Sequence, residues 1–329
     1  MRREGTLYLH FPCFDGLVSA VLASDFLEQN GWKFNRRFCP VNYHLRPTWI
    51  SSHLRPPCAV VDFLYHSDAQ FWADHHSTTF LSGEMRAEYE SRKSLWVQYD
   101  SQVGSCALLL WKNLSSWFVS KHSNYQEMVY WADKIDSARY LNVQEAILGD
   151  SPALKIYRSL ILRSDTEFCV LLIRALRRKS LAEVARLPEI LNKSEEVRSL
   201  NEAGLKRFRN YAHLEFGDIV VFDLDASPND IVSRYAPFYF FPKARYSIGM
   251  TRREGTAKIT AMRNPWLEFE SVPLGAIFER YGGGGHQRVA SVILTKMDAH
   301  KSDTVLSELV SEIQKQDSTY FRPIRQALG

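Results

Sequence analysis

Long apolar runs, paired cysteines and a strong excess of either charge are all missing from this chain of 329 residues. No stretch approaches the roughly 18 apolar residues of a membrane span. Met1-Arg2-Arg3-Glu4-Gly5 leads directly into a short strand-like run, without the apolar core of roughly 7–15 residues that marks a secretory signal. The five cysteines, at 13, 39, 58, 106 and 169, are odd in number and include no C-x-x-C pair. That spacing argues against a zinc ribbon or a dithiol redox motif and suits a reducing compartment. The expectation is a soluble, cytoplasmic protein with no membrane partner. Lysine and arginine number 41 against 37 aspartates and glutamates, a net charge of +4, too mild to indicate nucleic-acid binding by itself. Internal repeats and low-complexity segments are absent as well.

What is present is an ordinary globular balance, with 45% hydrophobic and 24% charged residues, which argues against disordered and fibrous classes. The length suits about two domains. The first half alternates strand and helix signals: strands at 6–11, 38–43, 58–61 and 70–73, an amphipathic helix at 17–29 closed by Asn30-Gly31, and helices at 105–111 and 125–135. Such alternation predicts parallel strands with crossover helices. Helical periodicity dominates from about 152 to 213, and β-type runs return at 219–222, 245–250 and 258–262. The predicted fold class is α/β: a parallel-sheet domain with flanking helices over 1–190, a helical connector over 191–216, and a smaller α+β C-terminal domain over 217–329.

Three apolar runs end in carboxylate or imidazole. Leu7-Tyr8-Leu9 runs into His10 and then Asp15-Gly16, Ala59-Val60-Val61 runs into Asp62, and Phe71-Trp72-Ala73 runs into Asp74-His75-His76. Ligands of open α/β sheets bind outside the carboxyl ends of the strands, so these endings are expected to converge on one crevice. Asp133 and Asp136 close the helix-like 125–135 segment three residues apart, from which at least one can reach that crevice. Several carboxylates and imidazoles from different strands are what a pair of divalent cations requires. Taken singly, each aspartate reads equally well as a turn or cap residue; taken together they point to a metal centre.

The second half carries Gly282-Gly283-Gly284-Gly285-His286 after the helix-like 275–281. Each glycine destabilises a regular element by roughly 0.5–1 kcal/mol, so an ordered run of this kind points to backbone N–H groups approaching an anion. A flexible loop is the alternative. Gln287 and Arg288 beside His286 favour phosphate contact. The basic clusters Arg174, Arg177, Arg178, Lys179 and Lys206, Arg207, Arg209 read either as solvated helix faces or as a phosphate-binding surface.

In their order along the chain, Asp15-Gly16, Asp62, Asp74-His75-His76, the later aspartates and the glycine run resemble the DHH phosphoesterases that carry a DHH-associated C-terminal domain with a G-G-G-H motif. The resemblance spans nearly the whole chain and is similar to that of nanoRNase, oligoribonuclease and cyclic-dinucleotide phosphodiesterase members. It implies a metal-dependent phosphodiesterase or exonuclease using two divalent cations, with manganese expected, held in the first domain while the second grips substrate. Carried over by position, His10, Asp15, Asp62, His75 and either Asp136 or Asp133 resemble metal ligands, with Asp62 bridging. His76 resembles a contact to substrate phosphate. The implied catalytic set is Asp15, Asp62, His75, His76 and Asp136. Arg263, Gly283, Gly284, Gly285 and His286 resemble substrate-binding residues. The implied partners are a short RNA or DNA oligonucleotide or a dinucleotide as substrate, with a homodimer as the candidate assembly.

One position departs from the pattern: Cys13 stands where many relatives carry an aspartate. A thiolate there favours zinc or iron over manganese, whereas an inert thiol serves packing alone. The expected reaction is phosphodiester hydrolysis by water held between two divalent cations. Two alternatives compete with it. Cys13 motivates a metal-poor relative that binds nucleotides or nucleic acid without cleaving them. An inorganic pyrophosphatase shares the first domain, and the glycine run weighs against it.

Overall fold

The computed structural model describes residues 3–35, 37–162, 165–225, 231–253, 255–285, 287–295 and 297–320. The chain divides into two compact units, Met1–Tyr140 with Gly149–Val197, and Leu141–Leu148 with Arg198–Gly329. No helix among the described residues is long and apolar enough to cross a membrane.

The first unit is built on five strands: β1 (Thr6–His10), β2 (Phe38–Val41), β3 (Cys58–Val61), β4 (Phe71–Asp74) and β5 (Val97–Tyr99). All four pairings are parallel, in the order β2-β1-β3-β4-β5. A parallel sheet covered on both faces needs continuous apolar runs, and every residue of β3 and β4 is buried. Tyr8, Val60 and Trp72 face one side, packed with Trp49, Phe63, Tyr65 and Tyr89. Phe71 faces the other, its ring centroid 5.9 Å from that of Phe26.

Phe26 belongs to α1 (Phe14–Gln29), in which every residue from Phe14 to Leu27 is buried. The helix is therefore not the amphipathic one expected from the sequence. It lies between the sheet and the helices α2 (Cys106–Leu114), α3 (His122–Asp136) and α4 (Thr166–Leu176), and it contacts all three. Its one deeply placed charge beyond the first turn, Asp25, accepts hydrogen bonds from Lys121 Nζ at 2.9 Å, Tyr125 Oη at 3.0 Å and Arg177 Nη2 at 2.8 Å. Arg177, one of the clustered basic residues, thus ties α4 to α1 and is not a solvated charge.

The long helix α5 (Pro188–Phe208) is the predicted helical connector. The second unit holds a six-stranded mixed sheet of β6 (Ala212–Glu215), β7 (Ile219–Asp225), β8 (Tyr246–Arg253), β9 (Thr256–Arg263), β10 (Gly284–Gly285) and β11 (Val289–Leu294), in the order β10-β11-β9-β8-β7-β6. Only β7 and β8 run parallel; the other pairings are antiparallel. Ile248, Met250, Ile259 and Val292 form its core with Leu274 and Phe278 of α6 (Leu274–Glu279) and Leu309 and Ile313 of α7 (Ser302–Tyr320). The edge strand β6 falls inside the stretch read as connector, because its partly exposed Ala-His-Leu-Glu sequence carries no apolar alternation.

Candidate metal centre

The direction of strand order reverses between β1 and β3, and the sequence-predicted residues gather at the carboxyl ends of those strands and of β4. His10 ends β1, Asp62 follows β3, and Asp74 ends β4 with His75 and His76 after it. Asp15 sits in the first turn of α1 and Asp136 closes α3. The loop carrying Asp62 is pinned by two indoles: Trp72 Nε1 donates to the Phe63 carbonyl at 3.0 Å and Trp49 Nε1 to the Leu64 carbonyl at 3.1 Å. Asp62 itself has φ +56°, a left-handed conformation that aspartate tolerates better than most residues and that tends to occur where surrounding structure fixes a functional group. Gly16 lets α1 approach this loop: a Cβ at that position would strike the His10 carbonyl oxygen and stand 3.1 Å from Asp62 Oδ2.

Three overlapping groups of ligand atoms lie within 4.8 Å of one another: Asp15, His75 and Asp136; His10, Cys13 and Asp62; and Asp62, Asp74, His75 and His76. His75 Nε2 stands 3.3 Å from Asp136 Oδ2 and 3.7 Å from both Asp15 Oδ2 and Asp62 Oδ1. On the other side of the same carboxylate, Asp62 Oδ2 is 3.3 Å from His10 Nδ1. Asp62 therefore presents one oxygen to each of two groups, the disposition expected of a bridging carboxylate.

The surrounding bonds orient these atoms. His75 Nδ1 lies 3.3 Å from the Val103 carbonyl; a proton on that nitrogen leaves the Nε2 lone pair for a metal, the usual arrangement for a ligating histidine. His76 Nδ1 is held by Asp74 Oδ1 at 2.8 Å, which leaves its other nitrogen for a different partner. Asp15 accepts from the first-turn amides of α2, Cys106 N–H at 2.7 Å and Ala107 N–H at 2.8 Å, where the helix dipole favours an anion.

Burial pushes the Asp62 carboxyl well above its ordinary range, and Asp15, Asp136 and Asp74 push it further. Asp15 is raised by burial and by Asp136. For His75 burial favours the neutral ring, yet the Asp136 carboxylate 3.3 Å away and the charge of Asp15 prevail and carry it up to about 9. Asp136 is held low by His75 against the effect of burial. His10 is brought down to about 4 by burial and by His76, so it is a neutral, ligand-competent imidazole at neutral pH. Burial and the carboxylates of Asp62, Asp136 and Asp15 raise the Cys13 thiol. Asp62 Oδ1, Asp74 Oδ2 and His75 Nε2 are buried with no hydrogen-bond partner among the described residues. Such atoms are costly unless something positive satisfies them, and a mixed set of carboxylates and imidazoles fits a divalent cation.

No family model matches the chain, and a search of curated proteins found no match. Solved structures do match. The pGpG-specific phosphodiesterase PggH from Vibrio cholerae superposes with a TM-score of 0.70 at 16% identity, covering 94% of this chain and 99% of its own. RecJ from Thermus thermophilus, solved in complex with Mn2+, gives a TM-score of 0.51 at 13% identity over 94% of this chain and 52% of its own. An exopolyphosphatase-related protein from Bacteroides fragilis gives 0.50 at 10% identity, over 95% and 94%. The chain therefore shares the DHH/RecJ-like fold of these structures.

Within this DHH/RecJ-like fold the sequence-predicted residues do not all meet. His10, Cys13, Asp15, Asp62, His75, His76 and Asp136 do. Asp133 belongs to none of the three ligand groups; it is paired with Arg139, and its Oδ1 lies against Gly104. Arg263 and the glycine run lie in the second unit. The Arg263 guanidinium donates to the carbonyls of Asn264 at 3.2 Å and of Leu267 and Phe269 at 2.8 Å, so it fastens the loop that follows β9. In the glycine run, Gly282 N–H bonds the Glu279 carbonyl at 3.1 Å and Gly283 N–H the Phe278 carbonyl at 3.0 Å, closing α6. Gly283 and Gly285 pass so near β11 that a Cβ on either would strike its backbone. His286 lies outside the described residues.

Two features of the centre escaped sequence reasoning. Tyr43, just beyond β2, sets its ring edge-on to His10 at 5.0 Å and to His76 at 5.9 Å between centroids; its place after a strand end was the available signal. Asp74 was a candidate by position, but its part in holding His76 is visible only from the distance between them.

Proposed function

We propose that this chain is a metal-dependent phosphodiesterase or exonuclease that hydrolyses short oligonucleotides or linear or cyclic dinucleotides. The observation that carries the reading is the two-sided Asp62 carboxylate, which faces His75 through Oδ1 and His10 through Oδ2. Two ligand groups sharing one aspartate suit the in-line displacement of a phosphodiester. Similarity of fold to a pGpG-specific phosphodiesterase and to a manganese-bound RecJ supports the reaction class.

Asp15, His75 and Asp136 would hold one divalent cation, manganese by expectation, and His10 with Cys13 the other, Asp62 being common to both. Divalent cations, if bound there, would supply a water of lowered pKa and offset charge developing on the phosphate. His76, oriented by Asp74, directs its remaining nitrogen at a phosphate or leaving oxygen as a hydrogen-bond donor. The α2 amides keep Asp15 fixed. In the second unit, Gly283, Gly284, Gly285 and His286, with Arg263, are assigned to substrate, although the Arg263 guanidinium is engaged by carbonyls of the loop after β9.

The test is purified protein with manganese against a linear dinucleotide, a cyclic dinucleotide, a longer RNA and single-stranded DNA. Manganese-dependent cleavage of a dinucleotide or short oligomer is expected. Absence of cleavage on every substrate would remove the reading.

A further inference from the structure

We propose that the centre is heteronuclear: the His10, Cys13 and Asp62 position takes a borderline-soft cation of the zinc class through the Cys13 thiolate, and the Asp15, His75 and Asp136 position takes a hard cation of the manganese or magnesium class. This rests on the metal-dependent reading above and adds to it which ion goes where.

The two positions differ in their donor atoms. One offers imidazole nitrogen, thiol sulfur and carboxylate oxygen, the other carboxylate, imidazole and carboxylate, each with its atoms within 4.8 Å of one another. Cys13 occupies the N-cap of α1 in extended conformation, φ −144° and ψ 137°, with its sulfur toward the Gly16 N–H three residues on. Serine, threonine, aspartate or asparagine is the ordinary choice for capping, and a thiol is a weaker acceptor than any of them, so capping alone does not call for sulfur here. Within 4.8 Å of one another the Cys13 sulfur, an imidazole nitrogen and a carboxylate oxygen form one group of potential ligands. Asp62 is 1% exposed and turns Oδ2 toward this position, 3.3 Å from His10 Nδ1.

Thiolate and imidazole together favour zinc-class ions, whereas oxygen-rich sets suit manganese and magnesium. On binding, the Cys13 S–H proton leaves to solvent and a metal–sulfur bond forms in its place. The remaining cysteines stand outside the three ligand groups.

The full chain, stripped of metal, is titrated with Co2+ as a spectroscopic stand-in for zinc and followed by near-ultraviolet absorbance. A thiolate-to-cobalt charge-transfer band is expected, retained in Cys39→Ser and lost in both Cys13→Ser and Cys13→Asp. Cys13→Asp is also expected to lower the ratio of zinc to manganese affinity by roughly 10–100-fold. A band that survives in either Cys13 variant, an unchanged affinity ratio in Cys13→Asp, or no band in the parent overturns the proposal. Should Cys13→Ser fail to fold, the Cys13→Asp ratio decides alone. An intact cobalt band without hydrolysis of any substrate sinks the proposed function and leaves this assignment standing; manganese-dependent hydrolysis without the band does the reverse.

Discussion

Asp74 Oδ1 stands 2.8 Å from His76 Nδ1 and also accepts the His75 main-chain N–H at 2.8 Å. One buried carboxylate therefore fixes the ring of His76 and the backbone that carries His75. Removing its charge while keeping its shape weakens the hold on His76 without deleting a metal-facing nitrogen. Asp74→Asn is expected to reduce kcat by roughly 10–100-fold, the usual effect of losing a partner behind a metal site. KM and bound manganese should change little. Steady-state kinetics on a dinucleotide, with metal analysis of the same sample, checks this; a kcat equal to the parent's would show that His76 does not depend on Asp74.

The crowding of carboxylates around Asp62 makes a claim about stability in the absence of metal. Asp62 carries a carboxyl raised by burial and by Asp15, Asp136 and Asp74, so keeping it ionised at neutral pH works against folding. Sites arranged for function often carry such a penalty. Asp62→Asn is expected to stabilise the metal-free protein by about 0.5–2 kcal/mol while abolishing the stabilisation that manganese gives the parent. Urea unfolding in chelator, repeated with saturating manganese, measures both. A variant less stable than the parent in chelator contradicts the repulsion account.

The strand-end residues were legible because parallel strands buried on both faces read as short apolar runs, and the residue after each run must stand at the rim of the sheet. Thus Asp62 and Asp74-His75-His76 could be placed from sequence. The choice between Asp133 and Asp136 could not be made, since three residues along a helix leave both near one face; Arg139, beyond the helix end, pairs with Asp133 and separates them. The burial of α1 was illegible too, because the helices that cover its outer side come some eighty residues later or more. At three residues, β5 is too short to show a period. The glycine run was readable as an unusual backbone, but not that two of its amides close α6.

Asp25 offers a pH test that does not involve the metal centre. Burial opposes its ionisation, but the bonds from Lys121 and Arg177 outweigh this and hold its carboxyl below the ordinary range. A carboxylate with a depressed pKa contributes stability above its unfolded value, near 3.8, and loses it as pH falls through the folded one. Asp25→Asn is expected to destabilise by roughly 3 kcal/mol at neutral pH, where Arg177 loses a buried partner. The gap to the parent should narrow as pH drops below about 4. Denaturant unfolding of both proteins across pH measures the difference; a gap independent of pH would mean the ion pairs carry none of it.

Gly16 joins packing to chemistry, because the space it leaves is shared by the β1 backbone and the central carboxylate. A methyl group there meets the His10 carbonyl oxygen, which belongs to the sheet and cannot turn aside, and Asp62 Oδ2 at 3.1 Å, which can move only by leaving His10. Overpacking of this kind is expected to destabilise Gly16→Ala by about 1–3 kcal/mol. The displaced Asp62 should also weaken metal binding on both of its sides. Comparison of unfolding with and without manganese separates the two effects: the chelator value reports the steric cost, and the smaller metal-induced increment reports the disturbed carboxylate. A variant that loses stability but keeps the parent's full increment would show that α1 can shift without disturbing Asp62.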